Sequence, residues 1–192
     1  MTTISGISDL FTPQYKWNVE QYHQMMKTGL LNEDDRVELL HGKILDMSPV
    51  RKFHAACVNL LAQYFILRFG KEYSFSIQNP IILDDQSEPE PDFIIAKYKE
   101  DNYRSGLPRP EEVLVLVEVS DHTLEKDRRL KAPTYASAGI LEYWIINLND
   151  KQVEQHLLPQ ADGRYAQVNI LAKEDIISSI NIGEVPVLEI LP

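Results

Sequence analysis

From Lys52 to Phe69 apolar residues recur at i, i+3 and i+4 through Val58, Leu61, Phe65 and Phe69, and Gly70 follows. That spacing predicts an amphipathic helix. Residues 17–29 show the same period, with Asn18 as the N-cap and Gly29 as the stop. Between them RVELLHGKILDM holds two apolar-rich runs about His41-Gly42, a β-hairpin pattern. Residues 73–83 read as one bent or two short strands, with Pro80 favouring an edge or a bulge. PDFIIA (91–96) is a short apolar strand entered through Pro91, and residues 98–111 are polar loop. VLVLVEVS (113–120) is apolar on both faces, as a central strand covered on each side must be. Residues 123–137 predict a helix that Pro133 kinks or ends near Leu130. EYWIINL (142–148) is another buried strand, and the tail alternates about a turn at Asp162-Gly163, giving antiparallel strands at the C-terminal edge.

This order of elements predicts an α/β fold, an α+β mixed sheet with helices on its faces, forming one domain over residues 1–192. Composition adds limits. Hydrophobic residues make up 44% and charged residues 25%, which excludes a low-complexity or fibrous chain. The single cysteine, Cys57, rules out an internal disulfide and agrees with a reducing compartment. MTTISGISDLF lacks the basic flank and apolar core of a signal peptide, and no apolar run has the length of a membrane helix. The expectation is a cytoplasmic protein with no membrane contact. The net charge of −10 cuts against tight binding of bulk nucleic acid, because phosphate neutralisation supplies much of that affinity.

Two carboxylates interrupt otherwise buried strands. Asp92 opens PDFIIA, and Glu118 follows five apolar residues on a strand where it shares a face with Leu116 and Leu114. A bare carboxylate among such neighbours is costly, so Glu118 must be paired or bind a cation. On the next helix Leu124, Lys131 and Tyr135 fall near one face, which makes Lys131 a cation on the side that packs against the sheet. Two acids and a lysine at one strand end are the apparatus of metal-assisted phosphodiester cleavage. Hard divalent cations such as Mg²⁺, with Mn²⁺ as a substitute, take oxygen ligands. The ion polarises the phosphate, and a lysine offsets developing charge.

PEPDF, VLVEVSDHTLEKDRRLK and APTYASAGILEYWIIN together resemble the Uma-two family of restriction endonucleases, within the PD-(D/E)XK nuclease superfamily. The resemblance runs from RVELLHGKILDMSP to EYWIINL, well over half of the chain. It implies a restriction endonuclease-like core and a metal-dependent endodeoxyribonuclease, acting on DNA as a homodimer. Asp92 and Glu118 are then the metal-binding acids. The lysine expected two residues after Glu118 is replaced by Ser120, and the family pattern implies Lys131 as its migrated substitute. The resemblance also implies a third carboxylate from Glu38 and a water or phosphate contact from His54.

Plainer roles compete with each of these. Glu118 and Lys131 can be a structural ion pair, Asp92 a turn cap, Glu38 an exposed strand residue and His54 a surface histidine. An Asp127–Lys131 i, i+4 pair would leave Glu118 alone. Lys126, Arg128 and Arg129 form a solvated face or contact DNA backbone, Cys57 is a small buried residue, and Tyr143 and Trp144 are core aromatics. The rival functions are a non-catalytic module that binds a protein partner through its acidic surface, and a hydrolase of another phosphate ester.

Overall fold

The computed structural model describes residues 14–32 and 34–192, so MTTISGISDLF lies outside the described residues. Helix α1 spans Val19–Thr28. The Asn18 side chain accepts from the Gln21 amide and Gln21 reciprocates, closing a capping box, and Gly29 ends the helix in the left-handed region. Strands β1 (Val37–Leu40) and β2 (Lys43–Asp46) form the expected hairpin about His41-Gly42. A Cβ at Gly42 would lie 2.6 Å from Cβ of Lys16, and its φ is +76°, so the turn requires glycine twice over.

Helix α2 (Lys52–Phe69) lies over a six-stranded sheet. The strands are β3 (Tyr73–Ile77), β4 (Phe93–Lys97), β5 (Val113–Ser120), β6 (Glu142–Asn147), β7 (Gln152–Pro159) and β8 (Tyr165–Ala172), in that spatial order. All neighbours are antiparallel except β5 and β6. A parallel pair needs a crossover, and the helix between these two strands supplies it. It consists of Leu124–Lys126, a π turn at Asp127–Lys131 and Ala132–Ser137, together called α3. A short hairpin, β9 (Ile176–Ser179) with β10 (Gly183–Pro186), closes the chain.

The sheet separates two apolar clusters. On one face Val58, Leu61 and Phe65 of α2 meet Phe93, Val117, Trp144 and the C-terminal residues Val187 and Ile190. On the other, Ala132 and Tyr135 of α3 meet Ile94, Leu116, Tyr143 and Ile145. Cys57, Tyr143 and Trp144 are core residues, and burial pushes the Cys57 thiol up to about 12, which makes it a poor nucleophile. No helix among the described residues is long and apolar enough to cross a membrane.

Two expectations need correction, and a third is narrowed to one of its alternatives. The run 73–83 is a strand only to Ile77, because Gln78 turns to φ +50°; Ile81 is buried without joining the sheet. Pro133 does not end its helix. A proline ring clashes with the carbonyl four residues back, and the π turn widens the helix there: the Ala132 N–H donates to Asp127 O, five residues back. Leu114 does not share the Glu118 face, since a register shift between Ile95 and Ala96 sends it to the α2 side.

Candidate active site

Where β5 ends beside the start of β4, the sheet meets the N-terminal turn of α2, the first turns of α3 and the β1–β2 hairpin. The resulting cleft has about 60 Å³ of free volume. Six carboxylates line it, from Glu38, Glu90, Asp92, Glu118, Asp121 and Asp127, against four permanent cations, Arg36, Arg51, Lys126 and Lys131. Five residues singled out in the sequence converge here: Glu38, His54, Asp92, Glu118 and Lys131.

Glu118 is 3% exposed. Its Oε1 accepts from Lys131 Nζ at 2.8 Å and from the Tyr135 hydroxyl at 2.7 Å. Both donors come from the same face of α3, and the π turn sets that face. Burial pushes the Glu118 carboxyl well above the ordinary range; Lys131 opposes the shift, while Asp92 and Asp127 add to it. Lys131 shows the reverse. Burial disfavours its charge, but Glu118, Glu38 and Asp127 together raise it, so the ammonium stays protonated.

Asp92 points into the same cleft. Its Oδ2 accepts from the Val119 amide at 2.8 Å and lies 2.9 Å from His54 Nε2, and Gln78 reaches Oδ1 at 3.3 Å. Burial alone would raise this carboxyl, but His54 and the Val119 amide outweigh it and the net shift is downward. The other ring nitrogen of His54, Nδ1, is buried without a partner among the described residues. Glu38 is a buried strand residue, 1% exposed. Its Oε1 accepts from Lys126 at 2.9 Å, and its Oε2 lies 3.6 Å from Lys131 Nζ. Burial raises this acid and the two lysines more than reverse the effect.

One of the plainer arrangements does not form and another forms only in part. Asp127 does not pair with Lys131; it accepts from the hydroxyls of Ser120 and Thr123, and burial drives its carboxyl upward. Ser120, at the strand position where a lysine was expected, thus ties β5 to α3. The basic run is a solvated face only in part: Lys126 holds Glu38 and Arg128 forks onto Glu154 at 2.6 and 3.0 Å, while Arg129, 82% exposed, pairs with the exposed Glu125. Asp127, Tyr135, Gln78 and Glu90 were not foreseen. The polar Tyr135 tip on the Lys131 stripe was the only signal that could have found one of them.

Among the described residues no three His, Cys, Asp or Glu side chains converge as a ready ligand set. The donors suit a hard cation held by two acids. Glu118 Oε2 has no partner among the described residues, Asp92 is held ionised, and burial pushes Glu90, Glu118 and Asp127 upward together. An added positive charge would relieve that excess. Mg²⁺ ordinarily takes one or two carboxylates and keeps several waters.

A sequence profile of the Uma2 family, described as "Putative restriction endonuclease", matches residues 19–183. No curated protein matches the sequence. Among solved structures, the fold is similar to that of a putative nuclease belonging to DUF820 from Anabaena variabilis ATCC 29413. The TM-score is 0.64 at 11% identity, over 90% of this chain and 96% of the other. The type IIG restriction endonuclease BpuSI aligns over 75% of this chain and 16% of its own, at 19% identity and a TM-score of 0.41.

Proposed function

Because the chain belongs to the Uma2 family, we propose that its cleft hydrolyses phosphodiester bonds in DNA with a divalent cation as cofactor. The observation that carries this reading is the meeting of Asp92, Glu118 and a buried, charged Lys131 at one strand end. Asp92 and Glu118 would hold Mg²⁺, or Mn²⁺ in its place, and the ion would supply charge that polarises the scissile phosphate and favours proton loss from an attacking water.

The remaining roles follow from contacts of the chain itself. Lys131 and Tyr135 fix Glu118 through one oxygen and leave the other without a partner among the described residues. His54 and the Val119 amide fix Asp92. The Lys131 ammonium offsets negative charge that develops on the phosphate, in a buried setting where such an interaction is strong. Glu38 acts as an auxiliary acid that keeps Lys126 and Lys131 at the cleft.

Purified protein with Mg²⁺ or Mn²⁺ is expected to nick supercoiled plasmid DNA. Asp92→Ala, Glu118→Ala and Lys131→Ala should each abolish nicking while the fold, checked by circular dichroism, persists. Cleavage surviving in all three variants would refute the assignment. A chain that binds no Mn²⁺ through Asp92 and Glu118 would instead support the non-catalytic module that the net charge of −10 favours.

A further inference from the structure

Strand β8 is an edge of the sheet. Natural proteins blunt such edges with charges, prolines or bulges, because an unpaired row of N–H and C=O groups templates another strand. The eight residues Tyr165–Ala172 contain no charged side chain and no proline. Ala166, Val168, Ile170 and Ala172 follow at two-residue spacing on one face and are all exposed, Val168 at 46% and Ile170 at 54%. The opposite edge is better protected: β3 has five residues, stops at the positive-φ Gln78, and buries Ser74 against the Lys99 backbone.

We propose that β8 pairs antiparallel with β8 of a second copy about a two-fold axis through Asn169, joining two six-stranded sheets into one. Among the described residues the outer backbone groups of β8 have no ladder partner; they call for an extended strand, and the side chains call for this one. With Asn169 opposite itself, Val168 faces Ile170 of the second copy, twice, and Ala166 faces Ala172. Arg164 and Glu174 lie just beyond the strand ends, Glu174 in the turn that follows, so the match rests on the apolar centre. A slip of one residue would set Val168 against Asn169 and Ile170 against Gln167, losing that match. The net charge of −10 makes copies repel elsewhere, and an uncharged strand is where that repulsion is least. The two-fold makes the contact isologous and closed, so it ends at a dimer. This surface gives the expected homodimer a place on the fold and holds whether or not the cleft cuts DNA.

Sedimentation velocity of the full chain over a range of concentrations should show a species of twice the chain mass. Val168→Lys and Ile170→Lys, both at exposed positions, should each weaken association by about 10-fold or more with the circular dichroism unchanged. Cysteine linking tests the register. The dyad residue meets its own copy at about 5 Å between Cα atoms, so Asn169→Cys should be joined in high yield by a short bis-maleimide. Gln167→Cys, roughly 13 Å from its own copy by strand rise, should not. A chain that stays monomeric throughout, a dimer that Val168→Lys leaves intact, or a dimer in which Asn169→Cys fails to link would each overturn the proposal.

Discussion

Lys131→Met isolates the cost of a lone carboxylate in this core. Methionine keeps most of the side-chain volume and removes the charge, leaving Glu118, 3% exposed, with the Tyr135 hydroxyl as its remaining donor. An ionised Glu118 there is untenable, so the folded variant keeps the acid protonated. Holding a glutamic acid protonated at pH 7 against an unfolded pKa of about 4.3 costs roughly 2.7 × 1.36, or about 3.5 kcal/mol. That agrees with the ~3–5 kcal/mol typical of breaking a buried pair by removing one partner. The pH dependence has a definite sign. The folded variant binds a proton that the unfolded chain releases, so the acid is harmless below about pH 4.3 and the penalty grows as pH rises. Burial already raises Glu118 in the wild type, so urea unfolding of wild type and variant should differ at pH 7 by at most about 3.5 kcal/mol, and the difference should shrink as pH falls toward about 4.3. Glu118→Gln added to Lys131→Met should recover most of the loss at pH 7. A pH-independent difference, or a double variant no more stable than the single one, would refute the account.

Two further outcomes follow from other contacts. Tyr135→Phe removes one donor from Glu118 and should cost ~1–2 kcal/mol in the same unfolding assay, while lowering any nicking rate, because the acid loses its orientation. Glu154→Gln loosens the Arg128 fork on β7. Burial raises the Glu154 carboxyl, but His156 and Arg128 outweigh it and bring it down to about 2, so its contribution is present above about pH 4.3 and lost as pH falls toward 2. Arg128 is 36% exposed, and with solvent screening the substitution should cost only ~1–2 kcal/mol at neutral pH and nothing near pH 2, read from unfolding midpoints.

The parts of the site that stood out in the sequence were the ones that violated a pattern. Glu118 interrupts a run of apolar residues, and Lys131 sits on a helix stripe that should be apolar, so each announced a partner before any coordinates. The fold was visible for the same reason: α2, β5 and β6 have patterns that only one burial arrangement satisfies. Asp127 gave no such signal. Its position depends on the π turn, and a reading at 3.6 residues per turn aligns it with Lys131 and predicts a pair that does not form. The Leu114 misplacement has a similar origin, since one inserted residue at a bulge inverts parity without leaving a mark in composition. Glu38 reaches the cleft only through the long-range docking of a hairpin, and β9–β10 are short strands whose pairing is decided by packing beneath the sheet.

The wide turn at Asp127–Lys131 makes this helix unusually sensitive to length. Deleting one residue there would rotate everything downstream by about 100°, carrying Lys131 and Tyr135 away from the strand acid together. A deletion in the loop 98–111 would merely shorten a connection. Insertions and losses among natural relatives should therefore be common in the loop and almost absent across this stretch, even where individual side chains drift.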